Sequence, residues 1–152
     1  MFRGINPINL DAKGRLAMPM RYRDRLQVDC SGQLIATIDP ETTCLLLYPF
    51  PEWEVIEQKI QALPSFNKVT RRIQRLLIGH ATECEIDNQG RILLPQSLRE
   101  YALLTKSIVL VGQGKKFEVW DEANWQQQRD TWLAEEGAKG DDIPEQLQDL
   151  AL

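Results

Sequence analysis

The sequence predicts a mainly β protein with flanking helices, an α+β chain in which two copies of one unit merge into a single pseudo-twofold β-barrel. Three observations carry that expectation. The stretch Asp11-Ala12-Lys13-Gly14-Arg15-Leu16-Ala17-Met18-Pro19 returns as Asp87-Asn88-Gln89-Gly90-Arg91-Ile92-Leu93-Leu94-Pro95, at an offset of 76. Both copies read D-x-x-G-R-[LI]-x-x-P, and each places an arginine four residues after the proline, Arg23 and Arg99. A second pair follows in the same order at an offset of 72: Leu46-Leu47-Tyr48 with Trp53, then Glu118-Val119-Trp120 with Trp125. One loop is therefore shorter in the second copy. Finally, a sheet of about four short strands in about 45 residues buries too little surface to stand alone, whereas two such units can share a core.

The elements follow in chain order. Asp at the first position of a type I turn and Gly at the fourth make Asp11–Gly14 a tight hairpin turn, with strands at 5–10 before it and 15–18 after. Pro19 ends the second strand, and Met20–Leu26 reads as a short helical turn. Strands at Gln33–Ile38 and Cys44–Tyr48 lead to a helix over Pro51–Leu63, with Pro51 at its first position. The second copy gives a turn at Asp87–Gly90, a helical Gln96–Leu103, strands Ile108–Val111 and Phe117–Trp120, and a helix through Leu133 capped by Asp121. Between the copies Phe66–His80 has helical period, with Ser65 as its cap. At about 100° per residue, Lys68, Arg71, Arg72 and Arg75 share one face, and Phe66, Val69, Ile73, Leu76 and Leu77 take the opposite one. The organisation is thus a first unit at 5–52, a helical linker at 53–80, a second unit at 81–124 and an acidic helical tail at 125–152.

Composition narrows the function. The chain has 152 residues, 43% of them apolar and 26% charged, which suits a folded protein with a real core. No apolar run reaches the ~18–20 residues of a membrane span, and the start lacks the pattern of a signal peptide, so a cytoplasmic location without membrane partners is expected. Three cysteines (Cys30, Cys44, Cys84) and one histidine (His80) make no metal set of the usual spacing, and they read as reduced structural thiols and a histidine without catalytic duty. The net charge is −4, yet it is unevenly spread. Residues 121–152 hold nine acids against Arg129 and Lys139, while residues 1–26 hold six bases against Asp11 and Asp24. An acidic tail on a locally basic body directs attention to the body.

No enzyme signature is present, and neither a catalytic residue, a cofactor nor a metal is expected. Gly112-Gln113-Gly114-Lys115-Lys116 lacks the spacer and the Ser/Thr of a phosphate loop and reads as a hairpin turn. Glu83 and Glu85 read as a solvated strand face, Trp53 and Trp125 as core, and Arg21, Arg23 and Arg25 as a solvated or salt-bridged face. The Asp11–Arg15 turn differs. It presents Lys13 at its tip and Arg15 just beyond, with Arg3 on the adjacent strand. An arginine can fork onto guanine O6 and N7, while Lys13 and the Gly14 amide can meet phosphates. A plain Asp11–Arg15 ion pair across the turn is the competing reading.

Met1-Phe2-Arg3-Gly4, the Asp11–Arg15 motif, Leu45-Leu46-Leu47-Tyr48-Pro49 with Trp53, the run Arg72–Ala81 and the second D-x-x-G-R together resemble the MraZ family, over essentially the whole chain. That family is similar to the AbrB/SpoVT swapped-hairpin β-barrel regulators. The resemblance implies a bacterial transcriptional regulator that binds double-stranded DNA and acts on its own operon of cell-division and cell-wall genes. It also implies a ring-shaped homo-oligomer on short direct repeats, associated with the nucleoid. The family's D-x-x-x-R motif falls on Asp11 with Arg15 and on Asp87 with Arg91. DNA contact is implied chiefly for Arg15, with Lys13 beside it; Asp11, Asp87 and Gly90 shape the turns. In the second copy Gln89 stands in the place of the lysine and Glu83 and Glu85 precede the turn, so the copy reads chiefly as a structural partner, with Arg91 only a weaker candidate for DNA contact. The rival reading is a ring-forming scaffold acting on protein partners.

Overall fold

The computed structural model describes residues 1–135 and 144–150. Strand β1 (Phe2–Asn9) leads through the Asp11–Gly14 turn to β2 (Arg15–Ala17), α1 (Met20–Cys30), β3 (Gln33–Ile38), β4 (Leu45–Pro49) and α2 (Phe50–Gln61). The linker helix α3 (Lys68–Ile73) continues as one π-helical turn over Gln74–Ile78. The second unit repeats the order with β5 (Thr82–Glu85), β6 (Arg91–Leu93), α4 (Gln96–Tyr101), β7 (Ser107–Gly114), β8 (Lys116–Asp121) and α5 (Glu122–Ala134), and a short α6 (Glu145–Gln148) comes last. The rest of the acidic tail, 136–143 and 151–152, lies outside the described residues.

Six strands form one antiparallel sheet in the order β1-β7-β8-β4-β3-β5, while β2 pairs with β6 in a separate ribbon. Exchanging the units (β1 with β5, β2 with β6, β3 with β7, β4 with β8) returns the same order read backwards. The pseudo-twofold relation thus passes between β4 and β8 in the sheet and between β2 and β6 in the ribbon.

The expected closed barrel is not formed. A barrel needs an unbroken ring of strand pairing. Here β1 and β2 part after their turn, β1 to β7 and β2 to β6, joined by a single rung from the Asp11 N–H to the Arg15 carbonyl at 3.0 Å. The second unit does the same at Asp87 and Arg91, with a rung of 2.9 Å. The ring is therefore open at both turns, and neither turn closes a paired hairpin of its own two strands. The units interlock instead: the Met18 N–H donates to Gly90 O at 2.8 Å and the Leu94 N–H to Gly14 O at 3.1 Å.

Between sheet and ribbon lies the main core, with Leu16, Met18, Leu26, Ile92, Leu94 and Phe117 all fully buried. The outer face of the sheet is covered by helices. Trp53 of α2 packs on Tyr48 at 5.6 Å between ring centroids, and Trp125 of α5 packs on Trp120 at 5.7 Å, the same contact made twice. Asp121 caps α5 as expected, accepting from Asn124 N at 3.3 Å. The linker helix starts later than its period suggests. Its cap is Asn67, not Ser65: Asn67 Oδ1 accepts from Val69 N at 2.8 Å and Thr70 N at 3.3 Å. Phe66 and Val69 stay exposed, because the π-helical turn carries the apolar contacts: Leu76 reaches the main core, and Leu77 and Ile78 reach the outer cluster around Trp53.

Candidate nucleic-acid interface

Each turn is built by its aspartate. Asp11 Oδ1 accepts from the backbone N–H of Lys13 at 3.0 Å and of Arg15 at 2.9 Å, and the Gly14 N–H donates to Asp11 O at 3.0 Å. In the second turn Asp87 Oδ1 accepts from Gln89 N at 2.8 Å and Arg91 N at 2.9 Å, and Gly90 N donates to Asp87 O at 2.9 Å. Hydrogen bonds to an ionised carboxylate favour that form. The N–H of Arg15, and in the other turn that of Arg91, holds each carboxyl below its ordinary value. The other carboxylate oxygen meets the arginine side chain: Arg15 Nε lies 2.6 Å from Asp11 Oδ2, and Arg91 Nε 3.1 Å from Asp87 Oδ2. The ion pair that competes for Arg15 in the sequence is thus present, and in both copies. It engages Nε alone, and among the described residues the terminal nitrogens of both guanidinium groups make no hydrogen bond.

The turns are finished from across the molecule. Gly14 and Gly90 have φ of +84° and +76°, a region that favours glycine, and each lies under a guanidinium of the opposite unit. A Cβ on Gly14 would collide with Arg99, and one on Gly90 with Arg23. Arg23 Nε donates to Met18 O at 2.6 Å and Arg99 Nε to Leu94 O at 2.9 Å, which fixes each plane over its glycine. Arg23 is therefore a clamp, which corrects its reading as part of a solvated face. Its signal in the sequence is the arginine placed four residues after each proline.

The ribbon then gathers the two motif arginines. In its register Arg15 faces Leu93, Leu16 faces Ile92 and Ala17 faces Arg91. Leu16 and Ile92 are fully buried, so by strand alternation Arg15, Ala17, Arg91 and Leu93 lie on the opposite face. Arg15 and Arg91 are diagonal neighbours there, with about 7–8 Å between their backbones. Lys13 is exposed at the tip of the first turn, where the second has Gln89. Gly14 uses its N–H within the turn, so its part is conformational. Arg3 is not brought to the turn: it sits six residues up β1 from Asn9, about 20 Å away, opposite Gln113. Elsewhere, Asp39, Cys44 and Glu118 bring three ligand-type atoms within 4.8 Å. Each is already engaged there: Asp39 accepts from Glu41 N, Cys44 contacts Thr42 Oγ1 and Glu118 accepts from the Trp120 indole.

Comparison with known proteins finds the same duplication in the sequence. The model of the family described as "MraZ protein, putative antitoxin-like" matches residues 1–76 and again residues 77–142. The chain belongs to the MraZ family. Among MraZ relatives, the transcriptional regulator MraZ of Coxiella burnetii (strain RSA 493 / Nine Mile phase I) is 58% identical over 152 residues, covering 100% of both chains. Those of Halorhodospira halophila (strain DSM 244 / SL1) and Legionella pneumophila (strain Paris) are 56% and 55% identical, again over 100% of both chains. Among the described residues of this MraZ-family chain, no helix is long and apolar enough to cross a membrane.

Proposed function

We propose that this MraZ-family protein is a transcriptional regulator without enzymatic activity, which binds double-stranded DNA through the outer face of the β2–β6 ribbon. The relatives carry the name transcriptional regulator. The observation that carries the DNA reading is the pairing of Arg15 and Arg91 on one face, each held by its aspartate through Nε with the guanine-reading edge of the guanidinium left open. Arg15, Arg91 and Lys13 are the proposed DNA contacts. Asp11, Asp87, Gly14 and Gly90 shape the turns, and Arg3 lies too far away to join the same contact. The units are taken as 5–52 and 81–124. The protein acts in the cytoplasm at the nucleoid, as a ring-like homo-oligomer on short direct repeats in the promoter of its own cell-division and cell-wall operon.

Binding to promoter duplex measured for single variants tests this. Arg15→Ala should cost about 1–3 kcal/mol in specific binding while the circular dichroism spectrum stays native. Arg91→Ala should cost clearly less, because the tip beside it has Gln89 and the strand before its turn carries Glu83 and Glu85, where the first copy has Lys13, Pro7 and Asn9. Unaltered binding in both variants, or no preference of the native protein for promoter over scrambled DNA, rejects the reading and leaves the scaffold alternative.

A further inference from the structure

We propose that Lys106, from the second unit, is a phosphate-contacting residue of the first unit's turn. The proposal rests on the ribbon being the DNA surface. Lys106 lies 91 residues beyond Arg15 in the chain, yet its carbonyl accepts from Leu10 N at 2.8 Å, which seats it beside Asp11. Its side chain is exposed and, among the described residues, makes no ion pair. With Asp11, Ala12, Gly14, Arg99 and Thr105 it lines an open cleft of about 610 Å³ beside the turn. Below it Thr105 Oγ1 donates to the Asp121 carboxylate, reaching Oδ1 at 2.7 Å.

The equivalent position in the other half shows what Lys106 adds. There the matching bond runs from Ile86 N to Gly32 O at 2.9 Å, so glycine stands where the first turn has a lysine. Around the first turn Lys13, Arg15, Arg99 and Lys106 face two carboxylates, Asp11 and the Asp121 held by Thr105. Around the second, Arg23 and Arg91 face Asp87 and Glu85, and the charges cancel. A cleft with a surplus of positive charge concentrates a polyanion at its mouth. The ammonium is a point charge on a flexible stem, suited to a phosphate flanking the bases that Arg15 reads.

The test is a salt titration of the full-length protein on promoter and on scrambled duplex, with Lys106→Gln against Lys115→Gln. Lys115 is an exposed control just beyond the far end of β7, about 30 Å away. Lys106→Gln should lower affinity several-fold on both sequences and flatten the slope of log K against log salt by about 0.9 for each phosphate no longer neutralised. Lys115→Gln should leave the slope as it is. A native slope for Lys106→Gln, or an equal drop for the control, overturns the proposal. If the native protein binds and Arg15→Ala weakens it while Lys106→Gln does not, the ribbon reading survives and this inference falls. If the native protein binds no duplex, both fall together.

Discussion

Asp11 and Asp87 each accept two backbone N–H bonds through one carboxylate oxygen and hold an arginine through the other, so ionisation and turn geometry are one property. Both carboxyls are held below the ordinary aspartate value by these partners, first of all the backbone N–H of the arginine. A group whose folded pKa is depressed contributes stability above its unfolded value and loses it as pH falls through the folded one. The turns should therefore stay closed at neutral pH and open only in acid below the ordinary aspartate range, which carboxyl NMR titration of the two aspartates would track. Asp11→Asn should keep much of the turn and lose the hold on Arg15. The thiols carry a second expectation. Burial pushes Cys84 up to about 11 and raises Cys30 and Cys44 as well. Native protein at pH 8 should resist iodoacetamide, with all three cysteines reacting once it is unfolded; fast labelling of the native chain would contradict the packing. At this scale the D-x-x-G-R turns were legible because the bonds that each aspartate makes within its turn are local. The Arg23 and Arg99 clamps were not, since the glycine that each covers lies in the other unit.

Among the elements, the linker helix departs most from its sequence pattern. A π-helical turn adds a residue to the turn and rotates the rest of the helix, so a wheel drawn at constant period misplaces the residues beyond it. The result serves packing: the extra residue lets Leu76 and Leu77 reach opposite sides of the sheet, and Thr37, itself fully buried, donates to the Leu77 carbonyl at 2.7 Å. Ser65 and Asn67 are both good caps, and period alone does not choose between them. The basic face is largely free, with Arg72 reaching Glu41 at 3.8 Å in an exposed pair worth little in water. Neutralising Arg71, Arg72 and Arg75 together separates its roles. Weaker binding to every sequence with a shallower salt slope means phosphate contact, and altered sedimentation without DNA means a subunit interface.

For the whole molecule, the repeat made the pseudo-twofold relation legible, whereas barrel closure was not. Which strand a turn's two arms pair with is decided by the opposite unit, and D-x-x-G-R carries no trace of that choice. The consequence for binding is one of number. On the proposed DNA reading a single ribbon covers only a few base pairs, too short for a unique genomic address, so that reading requires several ribbons to engage at once. In the proposed ring, neighbours related head to tail would point the same way round and read direct repeats about 10 base pairs apart. Inserting about half a helical turn between repeats should cut affinity far more than inserting a whole turn, as measured by gel shift. Equal effects would reject the multivalent reading.

The exchange symmetry of the strand order has a consequence for orientation. A framework that maps onto itself under a half turn carries no arrow, and such a ribbon would lie on a duplex equally well in either sense. On the DNA reading, the arrow is drawn by unlike side chains at matched places: Lys13 against Gln89, Asn9 against Glu85, Lys106 against Gly32. A chain edited to make these alike would keep its grip and lose its sense of direction.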